Sequence, residues 1–200
     1  MQEDALLLRR AQGGDADAFE RLVSPHEARV YALCLRMMGS REDAQDCAQD
    51  AMLRVWHALP SYRRDASFST WLYRIASNTC LDALRRRKVR AASSLDAMLE
   101  EGYSPPDADA DPLLHAEASA RKQALQAGIA ALPDDMRAAL VLRDVQGFSY
   151  EEVAAMLSAP LGTVKSRINR ARDKLRAILS EHAELFDAPR VYTSERRTKA

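Results

Sequence analysis

The stretch FSYEEVAAMLSAPLGTVKSRINRARDKLR, residues 148–176, decides how this 200-residue chain is read. Ser149 stands three residues before Glu152, the spacing of a capping box. In that motif a hydroxyl and a carboxylate each satisfy a free N–H at a helix start. Val153, Ala154, Met156 and Leu157 then fit a buried helix of about two turns, and Ser158, Ala159 and Pro160 break it. A second helix is expected from near Leu161. Two short helices around a tight turn form a helix-turn-helix.

On a wheel of about 100° per residue, the second helix sorts into faces. Leu161, Val164, Ile168, Ala171 and Leu175 share the core side. Ser166, Asn169, Arg170 and Asp173 lie opposite, with Lys165, Arg172 and Arg176 on one rim and Arg167 and Lys174 on the other. Rim cations suit phosphates, while central Arg and Asn can reach guanine and adenine edges. The first turns of such a helix go deepest into a groove. The expected duplex contacts are therefore Thr163, Lys165, Ser166, Arg167, Asn169 and Arg170. Upstream, Pro133 opens a helix carrying Met136, Leu140 and Val141, and Gly147 ends it.

The bulk numbers permit this reading. The chain carries 29 basic and 29 acidic residues, a formal net charge of +0, so any nucleic-acid surface must be local. No convincing stretch alternates with period two, and the pattern reads as all-α. No apolar run reaches the roughly 18–20 residues of a membrane span, and residues 1–10 do not form a secretion signal. Cys34, Cys47 and Cys80 are far apart in sequence without a CxxC pair, which suits reduced core thiols in a cytoplasm rather than a metal site. No cofactor is expected.

Composition divides the chain into a helical domain at 1–90, an acidic flexible linker at 91–116, a helix-turn-helix domain at 117–182 and a tail at 183–200. The linker holds Gly102, Pro105, Pro106 and repeated Asp, and lacks Lys and Arg. In the first domain, Asp15 or Asp17 caps a helix that Pro25 should break or kink and Gly39 stops. Ser40 to Asp43 resembles a capping box. The next helix buries Ala44, Cys47, Ala48, Ala51, Val55 and Leu59 and turns Asp43, Asp46, Asp50 and Arg54 outward. After the loop 61–67 a helix runs from near Ser67 or Ser69 to about Arg87.

That loop and helix carry a second candidate surface. Tyr62, Phe68, Trp71 and Tyr73 lie close to Arg63, Arg64 and Arg74, the mixture that stacks unpaired bases and holds their backbone. Phe68 and Trp71 share helical spacing with Leu72 and Ile75, so at least one belongs to the core. Tyr62, in a polar loop, has little reason to be buried. Asn78 is a poor helix former and a plausible base reader.

Five stretches together resemble bacterial sigma factors of the extracytoplasmic-function group: GSREDAQD at 39–46, FSTWLYRIASN at 68–78, Leu132-Pro133, FSYEEVA at 148–154 and GTVKSRINRAR at 162–172. The resemblance spans roughly residues 15–179. It implies that the first domain binds the β and β′ subunits of core RNA polymerase through the helix at 42–56, with Asp43, Asp46, Gln49 and Asp50 as contacts. It implies that the same domain opens a promoter −10 element and holds a flipped base in a pocket whose matching positions include Tyr62, Tyr73 and Asn78; the −10 melting surface is expected to comprise Tyr62, Arg63, Arg64, Trp71, Tyr73, Arg74 and Asn78. The second domain would read the −35 element, the linker would run through the polymerase, and an anti-sigma factor would control a stress response. Pro25, His26 and Cys47 depart from the family pattern. An operator-binding regulator explains the helix-turn-helix but not the block at 71–78. An enzyme on nucleic acid lacks a catalytic constellation, and a sigma-like adaptor would retain partners without initiating.

Overall fold

The computed structural model describes residues 2–93, 112–181 and 183–186, and every regular element among them is helical. The first domain comprises α1 (Gln2–Gln12), α2 (Ala16–Met38), α3 (Arg41–Ala58), a 3-10 turn (Leu59–Ser61) and α4 (Phe68–Ser93). The Asp15 carboxylate caps α2 by accepting from the Ala18 N–H at 3.0 Å. Gly39, at φ +80°, ends it in the left-handed conformation that glycine adopts without strain. Of the break or kink expected at Pro25, the break is absent, since α2 runs from Ala16 to Met38 as one helix. The residue is exposed, so water can serve the backbone where the ring removes a donor. Ser40 caps α3 through the Asp43 N–H, and Ser67 caps α4 through the Thr70 N–H.

Residues 2–12 form α1, which no N-terminal capping motif marks in the sequence. Its Leu7, Leu8 and Ala11 are buried, and the Gln12 amide donates to the carbonyls of Leu59 and Tyr62 at 3.2 and 3.0 Å. This helix braces the loop that carries the aromatic block.

The second domain comprises α5 (Pro112–Ala130), α6 (Asp134–Leu140) continuing into a π turn (Val141–Val145), α7 (Tyr150–Met156), α8 (Leu161–Ser180) and α9 (Ala183–Phe186). Both halves of the capping box at Ser149 and Glu152 are made, at 3.1 and 2.8 Å. The Ser149 N–H bond holds the Glu152 carboxyl below its ordinary pKa, with the Thr70 hydroxyl helping. Val164, Ile168 and Ala171 are fully buried on α8, as the wheel requires. Residues 94–111 of the expected linker lie outside the described residues, as does the tail beyond 186. Helix α4 runs to Ser93, and Pro112 starts α5 at a position where its missing N–H costs nothing.

The two domains pack on each other, and one apolar core runs through both. Tyr73 of α4 meets Phe148 edge to face at 4.9 Å. Arg29 of α2 lies over the Tyr73 ring at 5.6 Å and donates to the Gln146 carbonyl at 2.8 Å, while the Gln146 amide donates back to the Arg29 carbonyl at 3.3 Å. The Gln126 amide donates to the Leu35 carbonyl at 3.0 Å. Arg137 is buried and donates to the carbonyls of Met37, Ala130 and Leu132, joining the C-terminal ends of α2 and α5. Lys88 and Asp134 pair at 2.6 Å. None of these cross-domain partners is visible as a sequence pattern, since each pairs residues at least 40 positions apart by complementarity of shape and charge.

Candidate nucleic-acid interface

Helix α8 presents Lys165, Asn169 and Arg170 to solvent, with Ser166 and Thr163 half-buried. The Ser166 hydroxyl donates to the Thr163 carbonyl at 2.9 Å, within the helix. Arg167 is also half-buried and pairs with Asp135 at 3.1 Å. Thr163 and Arg167 line a cleft of about 540 Å³ whose opposite wall includes Arg85 and Lys88 of α4. The open part of the face is therefore Lys165, Asn169 and Arg170. Arg172, assigned to a phosphate rim, is instead committed to Asp144 through two bonds of 2.9 and 2.6 Å, which raise its pKa further. It fastens α8 to the π turn. Tyr150 sits under Arg143 at 4.5 Å and near Lys165 at 5.8 Å, so the helix-turn-helix is held by its own cations as well as by its core.

The aromatic block forms a cavity of about 190 Å³ lined by Tyr62, Arg63, Thr70, Trp71, Arg74 and, from α7, Ala155. Tyr62 is only 8% exposed, which corrects the expectation of a free loop tyrosine. Its ring lies 4.8 Å from Trp71, its hydroxyl donates to the Ala66 carbonyl at 2.7 Å, and burial pushes its pKa up. An aromatic ring buries enough area to outweigh the polarity of the loop that carries it. Trp71 is buried with it and Phe68 is half-buried against both. Tyr73 is fully buried beneath Phe148, so in this arrangement it is covered by the second domain, and burial raises its pKa. Its hydroxyl has no hydrogen-bond partner among the described residues. Arg63, Arg64, Arg74 and Asn78 are exposed. Arg64 takes φ +63°, a left-handed conformation uncommon for a side chain of its size.

Thr70 and Glu152 bridge the domains here at 3.2 Å. The capping carboxylate of α7 thus also ties the helix-turn-helix to the floor of the aromatic cavity. Sequence reasoning assigned Glu152 to the cap alone and left Thr70 without a role.

On α3, Asp46, Gln49 and Asp50 are exposed and Asp43 is half-buried, paired with Arg87 at 3.3 Å. Asp43, Asp46 and Asp50 face Arg86, Arg87 and Arg90 of α4 across a cleft of about 420 Å³. Cys47 lies at its floor. The positive end of α4 thus answers the negative face of α3 within one domain.

Two family models match separate parts of the chain. The family model described as sigma-70 region 2 matches residues 22–90, and the one described as sigma-70 region 4 matches residues 122–175. The chain is 39% identical to the ECF RNA polymerase sigma-E factor of Escherichia coli (strain K12), covering 86% of this chain and 92% of that protein. It is 35% identical to the RNA polymerase sigma-H factor of Pseudomonas aeruginosa, with 87% and 92% covered. It is 39% identical to the ECF sigma factor SigE of Mycolicibacterium smegmatis, of whose length it spans 63%. Among solved structures, the sigma factor RpoE of Bartonella quintana, bound to the anti-sigma factor NepR, superposes with a TM-score of 0.67 at 25% identity, covering 81% of this chain and 96% of that one. CnrH in complex with the cytosolic domain of CnrY gives 0.59 at 28%, covering 90% and 98%. The chain belongs to the extracytoplasmic-function group of the sigma-70 family of RNA polymerase sigma factors.

Proposed function

We propose that this sigma factor binds the β and β′ subunits of core RNA polymerase and directs initiation by contacting promoter DNA at two places. The observation that carries the reading is that one chain holds both kinds of DNA chemistry. A cavity lined by Tyr62, Trp71, Arg63 and Arg74 suits an unstacked base, and the exposed Lys165, Asn169 and Arg170 suit a major groove. Residues 1–90 serve the −10 element, with Tyr62, Arg63, Arg64, Trp71, Tyr73, Arg74 and Asn78 taking the melted strand. Residues 117–182 serve the −35 element through Thr163, Lys165, Ser166, Arg167, Asn169 and Arg170. Asp43, Asp46, Gln49 and Asp50 meet the polymerase, and residues 91–116 strap the domains across it. The chain works in the cytoplasm and catalyses no reaction itself.

The closed packing gives this function an order of events. Tyr73, buried beneath Phe148, is reachable only after the second domain leaves, and the cavity then loses its Ala155 wall. Opening frees the Tyr73 hydroxyl for hydrogen bonding, and polymerase supplies the binding energy for the change. An anti-sigma factor, of the kind bound to the Bartonella relative, would act on the same equilibrium. The test is run-off transcription with purified core polymerase on a promoter library. Initiation at a defined subset of promoters is expected. Tight operator binding by the free chain, with no initiation by an active core, would favour a helix-turn-helix regulator and overturn the proposal.

A further inference from the structure

The three cysteines, distant in sequence, meet at one point in the first domain. Cys34 comes from α2, Cys47 from α3 and Cys80 from α4. All are free and buried, with exposures of 0%, 4% and 0%. Their sulfurs lie 3.4 Å apart for Cys47 and Cys80 and 3.7 Å apart for Cys80 and Cys34, and all three fall within 4.8 Å of one another. A cysteine acting as a small core residue accounts for one buried thiol at a time. It does not account for every thiol in the chain converging from three helices.

An ion in the plane of these sulfurs would stand no more than about 2.4 Å from each, close to the ~2.3 Å of a metal–thiolate bond. Thiolate donors select soft cations such as Cu(I) and Zn(II). Structural zinc takes four ligands, and no histidine or carboxylate joins this group among the described residues. Cu(I) is satisfied by three thiolates in a plane. An entry path exists, because Cys47 floors the cleft between α3 and α4. We propose that Cys34, Cys47 and Cys80 form a trigonal site for one Cu(I) ion.

Binding exchanges three thiol protons for one copper ion and leaves a net charge of −2 on the cluster. Arg86 lines the same cleft as Cys47, and the positive charges of Arg54 and Arg86 both act on that sulfur, offsetting part of this charge. The bound ion pins α2, α3 and α4 together beneath the acidic face assigned to polymerase.

The test uses the full-length reduced chain without oxygen. Cu(I) is supplied as its complex with bathocuproine disulfonate, and Zn(II) is titrated in a parallel arm. One equivalent of copper should pass to the protein, and copper K-edge absorption should show three sulfur neighbours at about 2.3 Å. Since loss of a supporting group alone weakens metal sites 10–100-fold, Cys47→Ser should weaken retention by about 100-fold or more. Should that variant not fold, the absorption spectrum of the unaltered chain decides alone. The site is refuted by copper that stays with the chelator, by a shell with fewer than three sulfurs, by retention of zinc alone, or by unchanged retention in folded Cys47→Ser.

Discussion

The two surfaces proposed to meet DNA are stored in opposite ways in this sigma factor. The aromatic surface of the first domain is closed: Tyr62, Trp71 and Tyr73 are buried, and Phe148 and Ala155 of the second domain cover part of it. The reading face of α8 stays largely in water, with Lys165, Asn169 and Arg170 exposed. The difference follows from what each surface must do. Stacking an unpaired base needs large apolar rings, and rings left in water would form the exposed patch that soluble proteins avoid. Reading a groove needs hydrogen-bonding side chains, which water solvates at no cost. A surface for melted DNA therefore asks for a cover, and one for duplex DNA does not.

The largest effect that could break this comparison is expected from Phe148→Ala. Deleting a buried Phe ring costs about 3 kcal/mol, and this ring packs on Tyr73 across the domains. The domains should separate, seen as a larger radius of gyration in small-angle scattering. Quenching of Trp71 should rise, and the free chain should gain affinity for single-stranded −10 DNA. A variant that keeps the parent scattering curve and quenching would show that the cover is not held by this ring.

Next in size is Arg170→Ala, which probes the uncovered surface. A side chain reading a base edge should lose about 1–3 kcal/mol of discrimination at one or two −35 positions. The scattering curve should not change, because Arg170 takes no part in the contacts between the domains described above. Equal weakening on all −35 sequences would instead assign Arg170 to phosphate.

How much of this was legible in the sequence depended on the range of the interaction. The capping box at Ser149 and Glu152, the Gly39 stop and the wheel of α8 are local rules, and each is met by the structure. Tyr62 was misjudged because loop polarity says nothing about the Trp71 ring that receives it. The Arg29–Gln146 exchange and the three-cysteine cluster depend on which helices cross, and no periodicity reports a crossing. Arg172 carried the right charge for a phosphate, but the position of Asp144 decided its partner.

The smallest expected effect is a pH dependence confined to the covered side. His26 lies against Phe68 with ring centroids 5.7 Å apart, and Arg29, which reaches across to Gln146, is its charged neighbour. Burial first, and Arg29 second, hold its pKa below the ordinary 6.5. The unfolded chain therefore takes up this proton before the folded one. The stabilising contribution is fully present above pH 6.5 and is lost as pH falls through the window between 6.5 and the lower folded value. Thermal unfolding between about pH 7.5 and 5.5 should show stability declining on this account. His26→Gln should flatten that decline. Helix α8 contains no histidine, so −35 discrimination should stay constant over the same range. Parallel pH curves for parent and His26→Gln would move the titration to another group. A pH-dependent −35 preference would mean that the two surfaces are coupled more tightly than their separate storage implies.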